Sequence, residues 1–243
     1  MNSRTRRGLA VAAIVVLAVI AAACAGVDKP NGWARPEVSG QSLYVSLDRG
    51  KLSSLDPETY QVQWEFPVTD EFVCGSGAAQ RRDLEGVYET PAIDDETLYF
   101  GAYDGAVYAV NRSDGACTWR FETGDPIVGG VVFGTEGLYV PSEDGFVYLL
   151  NPEDGTEIAK FAAGEVWSTP LVTKDAVYVA TMEGKLWKLS PDKLEPIWNQ
   201  PFSVDAALLT APTLVDPSTI LVGGIGKRLY AVDTGDGAEK WSV

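Results

Sequence analysis

Between Leu98 and Phe121 the chain reads LYFGAYDGAVYAVNRSDGACTWRF: two short alternating runs joined at Asp104-Gly105, then a third after Asp114-Gly115. An Asp-Gly pair tolerates the positive φ that tight hairpin turns need, so the stretch predicts three antiparallel strands. The pattern returns at Leu43 to Phe66, Leu138 to Phe161, Val177 to Trp198 and Ile220 to Trp241. Equivalent positions Val107, Val147, Leu186 and Leu229 stand 40, 39 and 43 residues apart, the period of a repeated supersecondary unit of about 40 to 45 residues. Leu52 precedes Val107 by 55 residues, which places one insertion between the first two units.

A lead-in strand enters each unit through a polar-Pro signal at Arg35-Pro36, Thr90-Pro91, Thr169-Pro170 and Ala211-Pro212; Gly130-Val131 takes that place in the third. With its lead-in, each unit has four strands, lettered A to D. The units are 33–67, 88–123, 124–163, 164–203 and 204–243, with the insertion at 68–87. The strand patterns of the second and third units alternate as half-buried strands do, and no helix longer than a turn is predicted after residue 23. Four-stranded units of this length bury their sheets by stacking radially, which predicts an all-β fold, a β-propeller of about five blades. If the strands alternate in direction, the B–C turns (Asp104-Gly105, Asp144-Gly145, Glu183-Gly184) share one face with the D-to-A connections, the insertion among them. The C–D turns lie on the other face.

Hydrophobic residues make up 46% of the 243 and charged residues 22%, a globular balance with ample material for a core. The first 23 residues differ. Arg4, Arg6 and Arg7 precede an uncharged run from Gly8 to Ala23 that ends beside Cys24, the layout of an export signal too short for a spanning helix. Ala21-Ala22-Ala23-Cys24 resembles the lipobox of bacterial lipoproteins, although Ala21 stands where that family more often has Leu. The resemblance implies cleavage before Cys24, acylation of its sulfur and a tether over 24–32. A plain secretory signal, an uncleaved anchor and a twin-arginine signal through Arg6-Arg7 are the alternatives.

Loss of the leader's three arginines moves the formal charge from −15 to −18. Such a domain repels nucleic acid and anionic lipid, so any membrane attachment runs through the lipid anchor. Cys74 and Cys117 remain after the lipid site. In an oxidising compartment they form one disulfide, or else they are two free thiols. The chain has no histidine, which removes Ser-His-Asp catalysis and His-ligated zinc. A carboxylate pair survives as possible chemistry, yet Asp48, Asp104, Asp144 and Glu183 recur at one turn position, as turn geometry requires.

The segments Ala109 to Trp119 and Ala231 to Trp241 resemble the tryptophan-docking motif of pyrroloquinoline-quinone (PQQ) type repeats. By position, the resemblance makes Trp64, Trp119, Trp198 and Trp241 blade-docking residues, with Ala159 the departure. PQQ-type proteins usually close with about seven or eight blades, so five units imply a C-terminally truncated sequence or an open arc. Two functional branches use this blade. Quinoprotein dehydrogenases hold PQQ over Ca²⁺ beside a catalytic carboxylate, often with a disulfide of adjacent cysteines, and this chain has no such pair. The lipoprotein propeller of the outer-membrane β-barrel assembly machinery has no cofactor and binds its partner through surface loops; the chain resembles that branch more closely. The expectation is a non-catalytic, lipid-anchored envelope module with no cofactor or metal. Phe72, Arg81 and Arg82 in the insertion are its candidate partner-binding loop. A quinoprotein or sugar-acting enzyme and a small-ligand sensor are the alternatives.

Overall fold

The computed structural model describes residues 32, 34–46, 51–67, 71–75, 80–81 and 84–243. The leader, Cys24, Arg82 and the turn from Asp48 to Gly50 lie outside the described residues. Five four-stranded antiparallel sheets follow one another along the chain. Blade 1 holds β1 (Glu37–Ser39), β2 (Ser42–Ser46), β3 (Leu52–Leu55) and β4 (Val62–Phe66), and the insertion forms a small hairpin of β5 (Glu71–Phe72) and β6 (Gln80–Arg81). Blade 2 holds β7 (Ala92–Ile93), β8 (Thr97–Ala102), β9 (Ala106–Asn111) and β10 (Cys117–Glu122). Blade 3 holds β11 (Val132–Gly134), β12 (Gly137–Pro141), β13 (Phe146–Leu150) and β14 (Glu157–Ala162). Blade 4 holds β15 (Leu171–Val172), β16 (Val177–Ala180), β17 (Lys185–Leu189) and β18 (Phe202–Ser203). Blade 5 holds β19 (Thr213–Asp216), β20 (Thr219–Gly223), β21 (Leu229–Asp233) and β22 (Glu239–Ser242). The first strands β11 and β15 approach each other across blades, as the inner strands of a radial array do.

The core is divided into four packed clusters, one for each joint between consecutive blades. Tyr44, Trp64 and Phe66 of blade 1 meet Leu98, Phe100 and Val110 of blade 2. Tyr99, Ala109 and Trp119 then meet Leu138, Val140 and Leu150. Tyr139 and Leu149 meet Val177, Val179 and Leu194, and Tyr178, Leu186 and Trp198 meet Ile220, Val222 and Val232. In blades 2 to 4 the middle strands are therefore packed between two clusters, and every residue of β12 is buried. This differs from the half-buried alternation read from the sequence, which survives only in outer strands such as β14. Strands enclosed on both sides are apolar throughout, as in buried parallel sheets.

Each joint is closed at its outer edge by the C–D turn of the following blade. In the joints onto blades 2, 3 and 5 the turn opens on Asn111, Asn151 or Asp233, whose side-chain oxygen accepts the N–H two residues on at 2.7 to 2.9 Å. Its fifth residue has positive φ, supplied by Gly115, Gly155 and Gly237. These glycines are required twice over, because a Cβ there would lie 2.7, 2.5 and 2.9 Å from the indoles of Trp64, Trp119 and Trp198 respectively. Each indole Nε1 donates to the carbonyl of the same turn's second residue: Arg112 at 2.8 Å, Pro152 at 2.9 Å and Thr234 at 3.2 Å.

The joint between blades 3 and 4 solves the same problem in reverse. Blade 3 carries Ala159 in place of the tryptophan, and blade 4 carries Leu194 in place of the glycine, at φ 56° and 1% exposed. The leucine is buried in the cluster against which Ala159 packs. Tyr139 keeps the hydrogen bond to the second turn residue, Pro191, at 2.8 Å. Leu194→Gly is expected to cost about 1 to 4 kcal/mol, the loss of a buried leucine less the relief of a left-handed backbone. The pair Ala159→Trp with Leu194→Gly rebuilds the other kind of joint. Urea unfolding of the four proteins in a double-mutant cycle should show favourable coupling between the two changes.

Tyr99 and Tyr139, on the second strands of blades 2 and 3, donate across two of these joints and respond to base. Burial first, then the charge and hydrogen bond of Asp94, push the Tyr99 hydroxyl up to about 12. Burial, followed by the charges of Glu136 and Asp192, takes Tyr139 to about 12 as well. A folded value above the unfolded one of 10.0 means that the native state holds the proton more tightly. The stabilisation is thus complete below pH 10 and is lost as pH rises to about 12. Absorbance at 295 nm should show these tyrosines ionising together with unfolding, and Tyr99→Phe should remove its share of the alkaline loss.

Candidate functional site

The rim that carries the B–C turns and the D-to-A connections is tied together by hydrogen bonds between the two. Asp144 caps its own turn by accepting Phe146 N–H at 3.0 Å and also accepts Gly124 N–H, from the connection arriving out of blade 2, at 2.7 Å. Glu183 accepts Glu165 N–H from the next connection at 3.1 Å. Each connection also lays its backbone on the turn behind it: Thr123 N–H donates to Gly105 O, Ala163 N–H to Gly145 O and Val204 N–H to Gly184 O. Burial opposes ionisation of Glu183, but the hydrogen bonds from Thr181 and from backbone N–H groups outweigh it and hold the carboxyl below its ordinary value. The described acids of the repeat, Asp104, Asp144 and Glu183, are thus occupied in holding backbone.

Behind them stand buried phenols. Tyr108 donates to Asp104 and Tyr148 to Asp144. Burial, then the neighbouring carboxylate, raises both hydroxyls well above the usual tyrosine range, so neither serves as a base near neutral pH. Glu143, on the same rim, is raised by burial and then by the charges of Glu165 and Asp125. The rim is therefore crowded with negative charge. Apolar side chains on the turns and connections of this rim are also exposed: Trp167 is 41% exposed, Leu209 36% and Ile225 65%. Leu209 and Ile225 are bound into one loop pair by Leu209 N–H to Gly223 O and Ile225 N–H to Ala207 O. Trp167 and Leu209 stand at equivalent places in the connections, just before Pro170 and Pro212 lead into the A strands, a position at which blade 2 has the buried Tyr88.

The insertion takes a different course from the one read in the sequence. Leu84 and Gly86 do reach the B–C rim, accepting from Asp104 N–H and Tyr103 N–H. The hairpin before them crosses the outer edge of the first joint and reaches the beginning of β10, near the C–D turn. There Cys74 is joined to Cys117, with S–S 1.97 Å and Cα–Cα 4.6 Å, and Gly75 N–H donates to Cys117 O at 3.1 Å. Phe72 packs on Phe66 and Tyr108 with ring centroids at 5.0 and 5.8 Å, which makes it a cover for the joint. Arg81 contributes backbone to β6. Of the docking tryptophans, Trp64, Trp119 and Trp198 are 8%, 7% and 5% exposed, while Trp241 is 46% exposed.

Sequence reading passed over Arg112. Its guanidinium donates to Tyr44 Oη, to the carbonyls of Asp94, Asp95 and Ser39, and to Ser39 Oγ. It lines a cleft of about 480 Å³ with Arg35, Glu37, Thr90, Asp94 and Asp95, but its N–H groups are already engaged in joining blades 1 and 2. Its signal was a cation directly after the turn asparagine, where the other units have Pro or Thr. A calcium-held quinone fits poorly with the donor set. Among the described residues no three His, Cys, Asp or Glu side chains gather to hold a metal ion, and the disulfide spans 43 residues rather than adjacent cysteines.

The family model of the outer membrane protein assembly factor BamB, built on PQQ repeats, matches residues 25–136 and again residues 103–243. The chain belongs to the BamB family. No curated protein matches it in sequence. Among solved structures it is similar to BamB from Moraxella catarrhalis, with 18% identity and a TM-score of 0.68 over 86% of this chain and 63% of that one. It is also similar to the quinohemoprotein alcohol dehydrogenase of Comamonas testosteroni, with 14% identity and a TM-score of 0.69 over 89% and 43%. The computationally designed Ika8 protein matches with 14% identity and a TM-score of 0.69 over 87% and 61%. The chain spans less than two thirds of each of these proteins. At these identities the likeness shows the propeller fold alone, one shared here by an assembly factor, a dehydrogenase and a designed protein. Among the described residues no helix is long and apolar enough to cross a membrane.

Proposed function

We propose that the chain is a non-catalytic binding module of the bacterial envelope, exported, lipid-anchored through Cys24, and assembly-factor-like in its role. The observation that carries this reading is the B–C rim: its turn acids Asp144 and Glu183 are occupied with backbone, while Trp167, Leu209 and Ile225 on the same rim stand exposed. Exposed aromatic and aliphatic anchors ringed by charge are what a protein interface uses, and a rigid blade array presents them without an ordering cost. Membership of the BamB family supports the assembly role, and the Cys74–Cys117 disulfide supports an oxidising compartment.

Photo-crosslinking in cells tests the rim. A benzoylphenylalanine at position 167 or 209 should give one discrete envelope-protein adduct, and the same probe at Ile158 on the outer strand β14 should not. Adding PQQ with Ca²⁺ should leave the thermal midpoint unchanged. Saturable quinone binding with alcohol oxidation would replace this reading with that of a dehydrogenase. For the anchor, Cys24→Ser is expected to abolish palmitate incorporation and to release the protein from membranes into the soluble fraction.

A further inference from the structure

Around the B–C rim, each blade's turn lies against the connection that leads into that blade. Tyr103 N–H donates to Gly86 O, Glu143 N–H to Pro126 O, Met182 N–H to Glu165 O and Ile225 N–H to Ala207 O. The next residue of each connection, Val87, Ile127, Val166 or Leu208, is buried at 1% exposure or less. In an extended chain the residues on either side of it therefore turn outward together, so Glu165 and Trp167 emerge on one side. Two residues beyond the accepting carbonyls stand Tyr88, Val128, Trp167 and Leu209. In blade 2 the connection and turn positions touch, with the rings of Tyr88 and Tyr103 at 5.4 Å. The same two places hold Val128 with Glu143, Trp167 with Met182 and Leu209 with Ile225. Glu143 is the charged member of an otherwise apolar and aromatic set.

The charge beside this set is unbalanced. Burial and then the charges of Glu165 and Asp125 raise the Glu143 carboxyl, so these carboxylates crowd one sector of the rim. Among the described residues none of the ion pairs involves Asp125, Glu143 or Glu165. The blade 5 turn continues past Ile225 into Lys227 and Arg228, both exposed, which makes the blade 3 end of the apolar stretch its acidic end.

Given the binding role proposed for this rim, we infer that it receives a protein segment in which an arginine or lysine is set among apolar residues. The cation enters at Glu143, and the apolar side chains lie on Trp167 with Met182 and on Leu209 with Ile225. A cation there relieves the repulsion among Glu143, Glu165 and Asp125, and the face of Trp167 accepts a guanidinium as readily as an aliphatic chain. An acidic segment is repelled. A purely apolar one would desolvate the carboxylates without pairing them, so the same groups that attract a basic segment select against the other kinds.

Isothermal titration of the protein with short acetylated and amidated peptides tests this. A peptide of alternating arginine and leucine should bind saturably, and peptides of alternating glutamate and leucine or arginine and serine should bind at least about tenfold more weakly. Glu143→Gln and Trp167→Ala should each weaken the arginine–leucine peptide about tenfold at an unchanged thermal midpoint. Asp192→Asn, which removes an exposed acid from the C–D turn of blade 4 on the other face, should not. Equal affinity for the arginine–leucine and glutamate–leucine peptides, or no binding of the former, overturns the inference. So does an equal loss in Asp192→Asn and Glu143→Gln, which would trace the attraction to the net charge of the domain. Crosslinking from position 209 in cells separates these outcomes from failure of the binding role itself. A discrete adduct alongside any of them leaves the rim a protein-binding surface without a preference for basic segments, and absence of both adduct and peptide binding removes the two together.

Discussion

Trp119→Ala is expected to lower the free energy of unfolding by about 3 to 5 kcal/mol, whereas Trp241→Ala lowers it by less than about 1 kcal/mol, although both residues occupy the same place in the repeat. Trp119 is 7% exposed, lies on the backbone of Gly155 and belongs to the cluster that joins blades 2 and 3. Truncation leaves a cavity between two rigid sheets, neither of which can collapse into it without losing its own strand register. The carbonyl of Pro152 is not orphaned, because Tyr99 also donates to it at 3.2 Å. Most of the loss is therefore packing rather than hydrogen bonding, and Trp119→Phe should recover a large share of it. Gly155→Ala should approach the severity of Trp119→Ala from the other side, since its Cβ would lie 2.5 Å from the indole at a residue with φ of 72°. Urea midpoints for the four variants test the set. Equal losses at positions 119 and 241 would show that the tryptophans act within their own blades and not across joints.

Those two tryptophans also show where sequence reading stops. The turns were legible because their chemistry is local: Asp or Asn, a polar residue and then Gly specify a turn without reference to the rest of the chain. Docking was legible only through resemblance, since nothing near Trp119 in sequence announces that it seats on Gly155. Leu194 was not legible at all. In Ser190-Pro-Asp-Lys-Leu-Glu195 the turn lacks its glycine, and the compensation lies at Ala159 in another blade. The rim was half legible. Asp104 and Asp144 do cap their turns, as their position in the repeat suggests, but the grip of Asp144 and Glu183 on the incoming connections depends on the neighbouring blade. Trp167 registers in sequence as one more aromatic residue; its exposure becomes visible only when compared with the buried Tyr88 at the equivalent position. The insertion was placed on one rim because its two ends are there, and Cys74 carries it to the other.

That excursion gives the second large effect. Reduction of Cys74–Cys117, or the pair Cys74→Ser and Cys117→Ser, is expected to cost about 4 kcal/mol, the loop-closure value for a crosslink spanning 43 residues. The loss should not fall evenly over the molecule. Among the described residues blade 1 packs on blade 2 through the cluster they share, and the insertion covers that joint with Phe72 against Phe66 and Tyr108. The disulfide ties the insertion to β10 of blade 2, so it keeps the cover in place whenever blade 1 loosens. Without it, blade 1 and the insertion can separate from blade 2 as a unit while the joints from blade 2 to blade 5 persist. Hydrogen exchange under reducing conditions should therefore show protection lost first at Tyr44, Ser54 and Trp64, with Val140, Leu149 and Val179 retaining theirs. A urea transition that is single and steep in the oxidised protein should divide in two on reduction. An unchanged midpoint, or uniform loss of protection across all five blades, would mean that the Trp64–Gly115 joint holds blade 1 without help from the crosslink.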